Sequence, residues 1–100
     1  MIRILIVEDD ENISKMLAAT LSIGDYEYDR CADGEEAVQT IINGTYDLIL
    51  LDVMLPGMDG YQVCRTLRAS SQVPVIMLSA KGEIFDKVLG LELGADDYMI

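Results

Sequence analysis

Two short stretches place carboxylates where apolar runs end. Arg3-Ile4-Leu5-Ile6-Val7 leads directly into Glu8-Asp9-Asp10, and Asp47-Leu48-Ile49-Leu50-Leu51 leads into Asp52. Three or more carboxylates brought together repel, and each raises its neighbours' pKa. Such a group is comfortable only with a cation among its members. The chain has no histidine, and Cys31 and Cys64 lie far apart with no CxxC spacing. The ligands are therefore oxygens, which favour hard cations such as magnesium or calcium. Asp9 and Asp10 also admit a plainer role, since Asp is a favoured helix N-cap. Asp52 is harder to explain that way. It closes four apolar residues in what reads as the most central strand, where a buried carboxylate carries a desolvation cost.

The elements that would position these residues alternate along the chain. Arg3 to Val7 is a continuous β-rich run, the mark of a strand buried on both faces. A helix follows, with Ile13, Met16, Leu17, Thr20 and Leu21 as its apolar stripe and Gly24 as its stop. Tyr26 to Ala32 reads as a weaker strand, and its polar Glu27, Asp29 and Arg30 predict an edge position. Asp33 is a favourable N-cap for a second helix, with Glu36 three residues on and a stripe of Ala37, Val38, Ile41 and Ile42 that ends at Gly44. Asp47 to Asp52 is the third strand, Met54 to Gly60 a loop rich in turn residues, and Tyr61 to Arg68 a third helix. Val73 to Ser79 reads as strand four, Glu83 to Leu93 as a fourth helix closed by Gly94, and Asp97 to Ile100 as strand five.

The order βαβαβαβαβ predicts an α/β fold, with parallel strands joined by right-handed crossovers. The fold expected is a flavodoxin-like, doubly wound parallel five-stranded sheet in the order 2-1-3-4-5. In such sheets ligands gather at the carboxyl ends of the strands beside the switch point. Here that point lies between strands one and three, where Glu8-Asp9-Asp10 and Asp52 would meet.

Composition narrows the function. One hundred residues suit one domain, and 51% hydrophobic content supports a packed core. Seven basic residues against eighteen acidic ones give a net charge of −11, which argues against nucleic-acid binding by this domain alone. No uninterrupted apolar run of about 18 residues is present to span a membrane, and the first apolar run is too short for a signal peptide. A cytoplasmic location is expected, with both cysteines reduced and packed.

Four stretches carry a family resemblance. They are Ile4-Leu5-Ile6-Val7-Glu8-Asp9-Asp10, Leu50-Leu51-Asp52-Val53-Met54-Leu55-Pro56-Gly57-Met58-Asp59-Gly60, Pro74-Val75-Ile76-Met77-Leu78-Ser79-Ala80-Lys81 and Gly94-Ala95-Asp96-Asp97-Tyr98. In order and spacing they resemble the signature stretches of bacterial response-regulator receiver domains (a CheY-like fold), and the likeness covers residues 1–100. The resemblance implies that Asp52 is the phosphoacceptor, a carboxylate nucleophile. It implies that Glu8, Asp9, Asp52 and the backbone carbonyl of Met54 hold Mg2+ or Mn2+, in a loop shaped by Pro56-Gly57. Asp10, one position beyond the family's acidic pair, is then left to cap the helix. Ser79 would hydrogen-bond the attached phosphoryl group, and Tyr98 would be the aromatic whose rotamer follows that bond.

Asp96-Asp97 and the run Phe85-Asp86-Lys87-Val88-Leu89-Gly90-Leu91-Glu92 resemble the OmpR/PhoB subfamily, whose members carry a winged-helix DNA-binding domain after the receiver. The partners implied are a histidine kinase as phosphodonor and a second copy in a homodimer, with DNA contacted only through an output domain. The family also has a lysine and a fifth helix after the fifth strand. The sequence ends at Ile100, before both, and Lys81 belongs to the loop after strand four. A truncated receiver is thus expected, with its last helix missing. Dimerisation is expected through the fourth helix and fifth strand, or through apolar surface left uncovered beneath strands four and five.

The domain would assist its own phosphorylation without being a turnover enzyme. Rival readings fit less well. A haloacid-dehalogenase-type phosphatase needs an acid two positions after the nucleophile, where Met54 stands. A flavodoxin or P-loop protein needs a phosphate-binding loop after strand one, where Glu8-Asp9-Asp10 would repel phosphate. The remaining alternative is a receiver fold that is not phosphorylated and serves as an interaction module.

Overall fold

The computed structural model describes residues 2–78 and the backbone of residues 97–99. Five strands, β1 (Arg3–Val7), β2 (Glu27–Cys31), β3 (Leu48–Asp52), β4 (Val75–Leu78) and β5 (Asp97–Met99), alternate with α1 (Glu11–Ile23), α2 (Gly34–Asn43) and α3 (Gly60–Arg68). All neighbouring strands are parallel, in the order β2-β1-β3-β4-β5. This is the order expected from the alternation of elements. The fourth helix read over 83–93, with Ser79 and Lys81 before it and Gly94 after it, lies outside the described residues.

Strand periodicity divides the sheet into two faces. Leu5, Val7, Ile49, Leu51, Val75 and Met77 are fully buried on the face covered by α2 and α3, packed with Ala37, Val38, Ile41, Val63 and Leu67. Ile4, Ile6 and Leu50 point to the other face, where they meet Ala18, Leu17 and Leu21 of α1. On that face Leu48, Ile76 and Leu78 are only partly buried among the described residues. β2 lies at the sheet edge, as its polar sequence suggested.

The helices begin where short polar side chains cap them. Asp10 accepts from the backbone N–H groups of Asn12 and Ile13 at 2.9 and 3.1 Å and starts α1. Asp33 caps α2 by accepting from Glu35 at 3.1 Å, so the bond is made two residues on and Glu36 has no reciprocal capping role there. Asp59 and Gln62 form the reciprocal box that starts α3.

Two helix faces differ from the sequence reading. In α1 the residues turned to the sheet are Ser14, Leu17, Ala18 and Leu21, whereas Ile13 is 40% and Met16 60% exposed. Small Ser14 and Ala18 let the helix lie close to β1 and β2. Leaving the two larger side chains partly outside forgoes part of the ~1.5–3 kcal/mol that full burial of each would contribute. In α2 the buried positions are Gly34, Ala37, Val38 and Ile41, and Ile42 is on the solvent side. Position 34 belongs to the buried face and turns the stripe by one residue. The strand expected from Val73 begins only at Val75, after Pro74, which has no N–H for a ladder.

Candidate metal and phosphoacceptor site

β1 and β3 are adjacent and in register from Ile4 opposite Leu48 to Val7 opposite Leu51. Parallel pairing therefore carries the residues that follow Val7 to the same edge of the sheet as Asp52. Glu8, Asp9 and Asp52 each offer a carboxylate oxygen there, and these atoms lie within 4.8 Å of one another. Glu8 is buried at 6% exposure, Asp52 half-buried, and Asp9 exposed. The Glu8 backbone N–H is bonded to the Cys31 carbonyl at 2.9 Å, which ties the end of β1 to the end of β2. Asp10 has moved out of the group: its side chain caps α1, and its N–H donates to Glu8 Oε2 at 3.2 Å.

The loop after β3 is shaped around Asp52. The Met54 N–H donates to Asp52 Oδ1 at 3.2 Å and fixes the rotation of that carboxylate. The Val53 N–H bonds the Leu78 carbonyl at 3.1 Å, and the Gly60 N–H bonds the Val53 carbonyl at 2.9 Å. A side chain at position 60 would run into the Asp52 carbonyl, so only glycine lets α3 start this close to the site. Gly57 follows Pro56 with φ +74°, a conformation that L residues with side chains rarely adopt. The Pro56-Gly57 turn read from the sequence is thus a feature of the folded loop.

The electrostatics of the group follow from burial and like charge. Burial, with the hydrogen bond to Asp52 next in importance, pushes the Glu8 carboxyl up to about 8. Burial also raises Asp52, while hydrogen bonds from Glu8 and the Met54 N–H oppose the rise. Protonating either carboxyl removes one of the like charges and so relieves the repulsion. No lysine or arginine makes an ion pair with Glu8, Asp9 or Asp52 among the described residues: Arg30, on neighbouring β2, is held by Glu11 at 3.1 Å. An all-oxygen donor set of this spacing, with two of its carboxyls raised by burial, suits a hard divalent ion.

The sequence-predicted residues are thus brought together in part. Glu8, Asp9 and Asp52 converge, and Met54 adjoins them through its N–H. Tyr98 lies in β5, in register with Met77 of β4, and its side chain is outside the described residues, as is Ser79. Sequence reading passed over Ser14. This serine lines a cleft of about 180 Å³ with Glu8, Glu11, Arg30, Cys31 and Ala32. Its signal was a polar residue at the i, i+3, i+4, i+7 spacing of Ser14, Leu17, Ala18 and Leu21.

Comparison with known proteins agrees with this architecture. The family model described as a response regulator receiver domain matches residues 4–100. The chain is similar to the probable transcriptional regulator ycf27 of Cyanidium caldarium, with 48% identity over 97 residues, covering 97% of this chain and 39% of that protein. It is 42% identical over 100 residues to response regulator ArlR of Staphylococcus saprophyticus, covering 100% of this chain and 46% of that protein. The chain thus spans less than half the length of these curated relatives. Among solved structures, the BeF3-activated N-terminal receiver domain of Klebsiella pneumoniae RstA superposes with a TM-score of 0.93 at 38% identity, over 97% of this chain and 83% of that one. Response regulator TrrA of Thermotoga maritima, solved in complex with Mg(2+)-BeF, gives a TM-score of 0.90 at 34% identity, over 100% of this chain and 86% of that one. Strand order, the carboxylates at the ends of β1 and β3, and sequence identity along the whole chain lead to one conclusion: the chain belongs to the response regulator receiver domain family.

Proposed function

We propose that this domain takes a phosphoryl group onto Asp52 from a histidine kinase and so serves as the receiver of a two-component signalling pathway. The observation that carries the reading is the position of Asp52 at the end of β3, with its carboxylate, Glu8 and Asp9 within one 4.8 Å group. Phosphoryl transfer asks a protein mainly to position groups and balance charge. Asp52 does the bonding. One of its oxygens forms the bond to phosphorus as the donor's phosphorus–nitrogen bond breaks, and the donor nitrogen keeps the electron pair. The Met54 N–H holds Asp52 Oδ1 and sets the carboxylate plane for that approach. Glu8, Asp9, Asp52 and the Met54 carbonyl are the groups assigned to hold Mg2+ or Mn2+. Such an ion supplies the positive charge that lets an anionic carboxylate meet an anionic phosphoryl group.

The same reading gives Ser79 the hydrogen bond to the attached phosphoryl group and makes Tyr98 the aromatic that reports it toward β5. The domain acts as a phosphoacceptor and not as a turnover enzyme. In a longer cytoplasmic protein, phosphorylation would control dimerisation and DNA binding by an output domain. The names of the relatives, a response regulator and a probable transcriptional regulator, support that step. No helix among the described residues is long and apolar enough to cross a membrane.

The test is intact-mass analysis after incubation with acetyl phosphate and magnesium, with beryllofluoride binding as a second readout. The parent chain should gain one phosphoryl group, and Asp52→Asn should gain none. A parent chain that gains neither a phosphoryl group nor beryllofluoride would favour a receiver fold that works only as an interaction module.

A further inference from the structure

α1 buries a serine while an isoleucine and a methionine on the same helix stay outside. Ser14 is 3% exposed, and its backbone N–H is used by the Asp10 carbonyl at 2.9 Å. Its hydroxyl has no hydrogen-bond partner among the described residues. Thr20 and Ser22, by contrast, return theirs to carbonyls one turn back at 3.0 Å. If only a small side chain were needed for close packing, alanine would serve as at Ala18 and would favour the helix more. A buried hydroxyl without a partner is costly.

The hydroxyl has somewhere to go. No buried side-chain polar atom is sealed off without a partner among the described residues, so Ser14 keeps access to the cleft that it lines. That cleft, about 180 Å³, also receives Glu8, the most buried member of the acidic group. Its volume is room for a few water molecules, each taking about 30 Å³ of liquid. Arg30 and Glu11, which also line the cleft, form an ion pair at 3.1 Å. Glu11 pairs with Arg30 and also lies 3.9 Å from Lys15, so its carboxylate is engaged by cations of the chain itself. The Cys31 thiol is spent on the Asp33 carbonyl at 3.3 Å. Of the remaining lining residues with polar side chains, Ser14 has no partner among the described residues, and Glu8 accepts from the Asp10 N–H through Oε2.

We infer that Ser14 is a positioning residue for Glu8, linked to its carboxyl through water held in the cleft between α1 and β2. The inference rests on the reading of Glu8 as a cation ligand. Outer groups of this kind orient a ligand carboxylate, and their loss commonly weakens metal binding 10- to 100-fold. The cleft is lined from β2 by Arg30 and Cys31, whereas Asp52 closes β3 on the other side of β1.

The test uses Ser14→Ala and Ser14→Thr in the 100-residue chain, with Mg2+ as the probe. Magnesium affinity is measured by calorimetry, and the Glu8 carboxyl is followed by 13C NMR in metal-free protein. Ser14→Ala should weaken Mg2+ binding by about tenfold and move the Glu8 carboxyl resonance, with thermal stability unchanged or raised. Ser14→Thr, which keeps the hydroxyl, should restore the affinity; if threonine proves too large to fold there, the NMR shift in Ser14→Ala decides alone. An unmoved Glu8 resonance with parental affinity in Ser14→Ala would overturn the inference. Absence of Mg2+ binding by the parent would instead defeat the underlying reading of Glu8, Asp9 and Asp52.

Discussion

The sheet carries two groups of carboxylates that solve the same problem differently. Near the amino ends of β1 and β3, Asp29 accepts from the Arg3 guanidinium and from the Tyr46 hydroxyl, each at 2.8 Å. Arg3 also lies 5.0 Å from the centre of the Tyr46 ring, and its backbone N–H is taken by Asp47 at 2.9 Å. The Tyr46 hydrogen bond first, then the one from Arg3, hold Asp29 below the usual carboxylate range. At the carboxyl ends of the same two strands, Glu8, Asp9 and Asp52 lie together with no cationic side chain bonded to them among the described residues. There, burial and the neighbouring Asp52 push Glu8 up to about 8. The first group brings its own cation and is complete as structure. The second has the form of a site completed by a ligand, and that difference separates a structural cluster from a functional one.

The two groups should respond oppositely to pH. Between its ordinary 4.5 and about 8, Glu8 keeps a proton in the folded, metal-free protein that the unfolded chain has lost. Stability should therefore fall as pH rises across that window, and Asp52, also raised by burial, adds to the fall. Asp29 works the other way. Its stabilisation is present above its ordinary 3.8 and is lost as pH falls through its lower folded value. Urea unfolding across pH, with a chelator present, should show both limbs. Glu8→Gln should flatten the neutral limb and Asp29→Asn the acid limb. A neutral limb unchanged by Glu8→Gln would remove the contrast.

Charge removal sharpens the comparison. In metal-free protein at neutral pH, Asp52→Asn should raise unfolding stability by about 1–2 kcal/mol, as expected when a functional site gives up mutual repulsion. At the other group the sign should reverse. Asp29→Asn should lower stability by about 0.5–1 kcal/mol, since the pair is largely solvent-exposed. Smallest of all, Tyr46→Phe removes one hydrogen bond to a half-exposed carboxylate and should cost about 0.5 kcal/mol. Equal signs for Asp52→Asn and Asp29→Asn in denaturant unfolding would contradict the distinction.

Much of this was legible in the sequence, for reasons that particular residues make plain. The apolar runs before Glu8 and Asp52 set two central strands, and parallel crossovers force their carboxyl ends to one edge. The meeting of Glu8, Asp9 and Asp52 therefore follows from the order of strands and crossovers. Gly24 and Gly44 marked helix ends, and Asp33 and Asp10 marked helix starts, because capping chemistry is local. The orientation of α1 was not legible. Ile13 and Met16 satisfy helical spacing as well as Ser14 and Ala18 do, and only the close approach to β1 and β2 selects the smaller pair. The compensated group was missed for a related reason. Arg3, Asp29 and Tyr46 are separated by up to 43 residues, and nothing local signals that they meet.

The most direct test is the change in unfolding free energy on adding magnesium, in the parent and in variants of each group. At a magnesium concentration 100 times the dissociation constant, the parent should gain about 2.7 kcal/mol. Asp29→Asn should gain as much, because its group already holds a cation. Asp9→Ala should gain little or nothing at the same concentration. A parent that gains nothing, or an Asp9→Ala variant that gains as much as the parent, would contradict the claim that Glu8, Asp9 and Asp52 form a cation-dependent site.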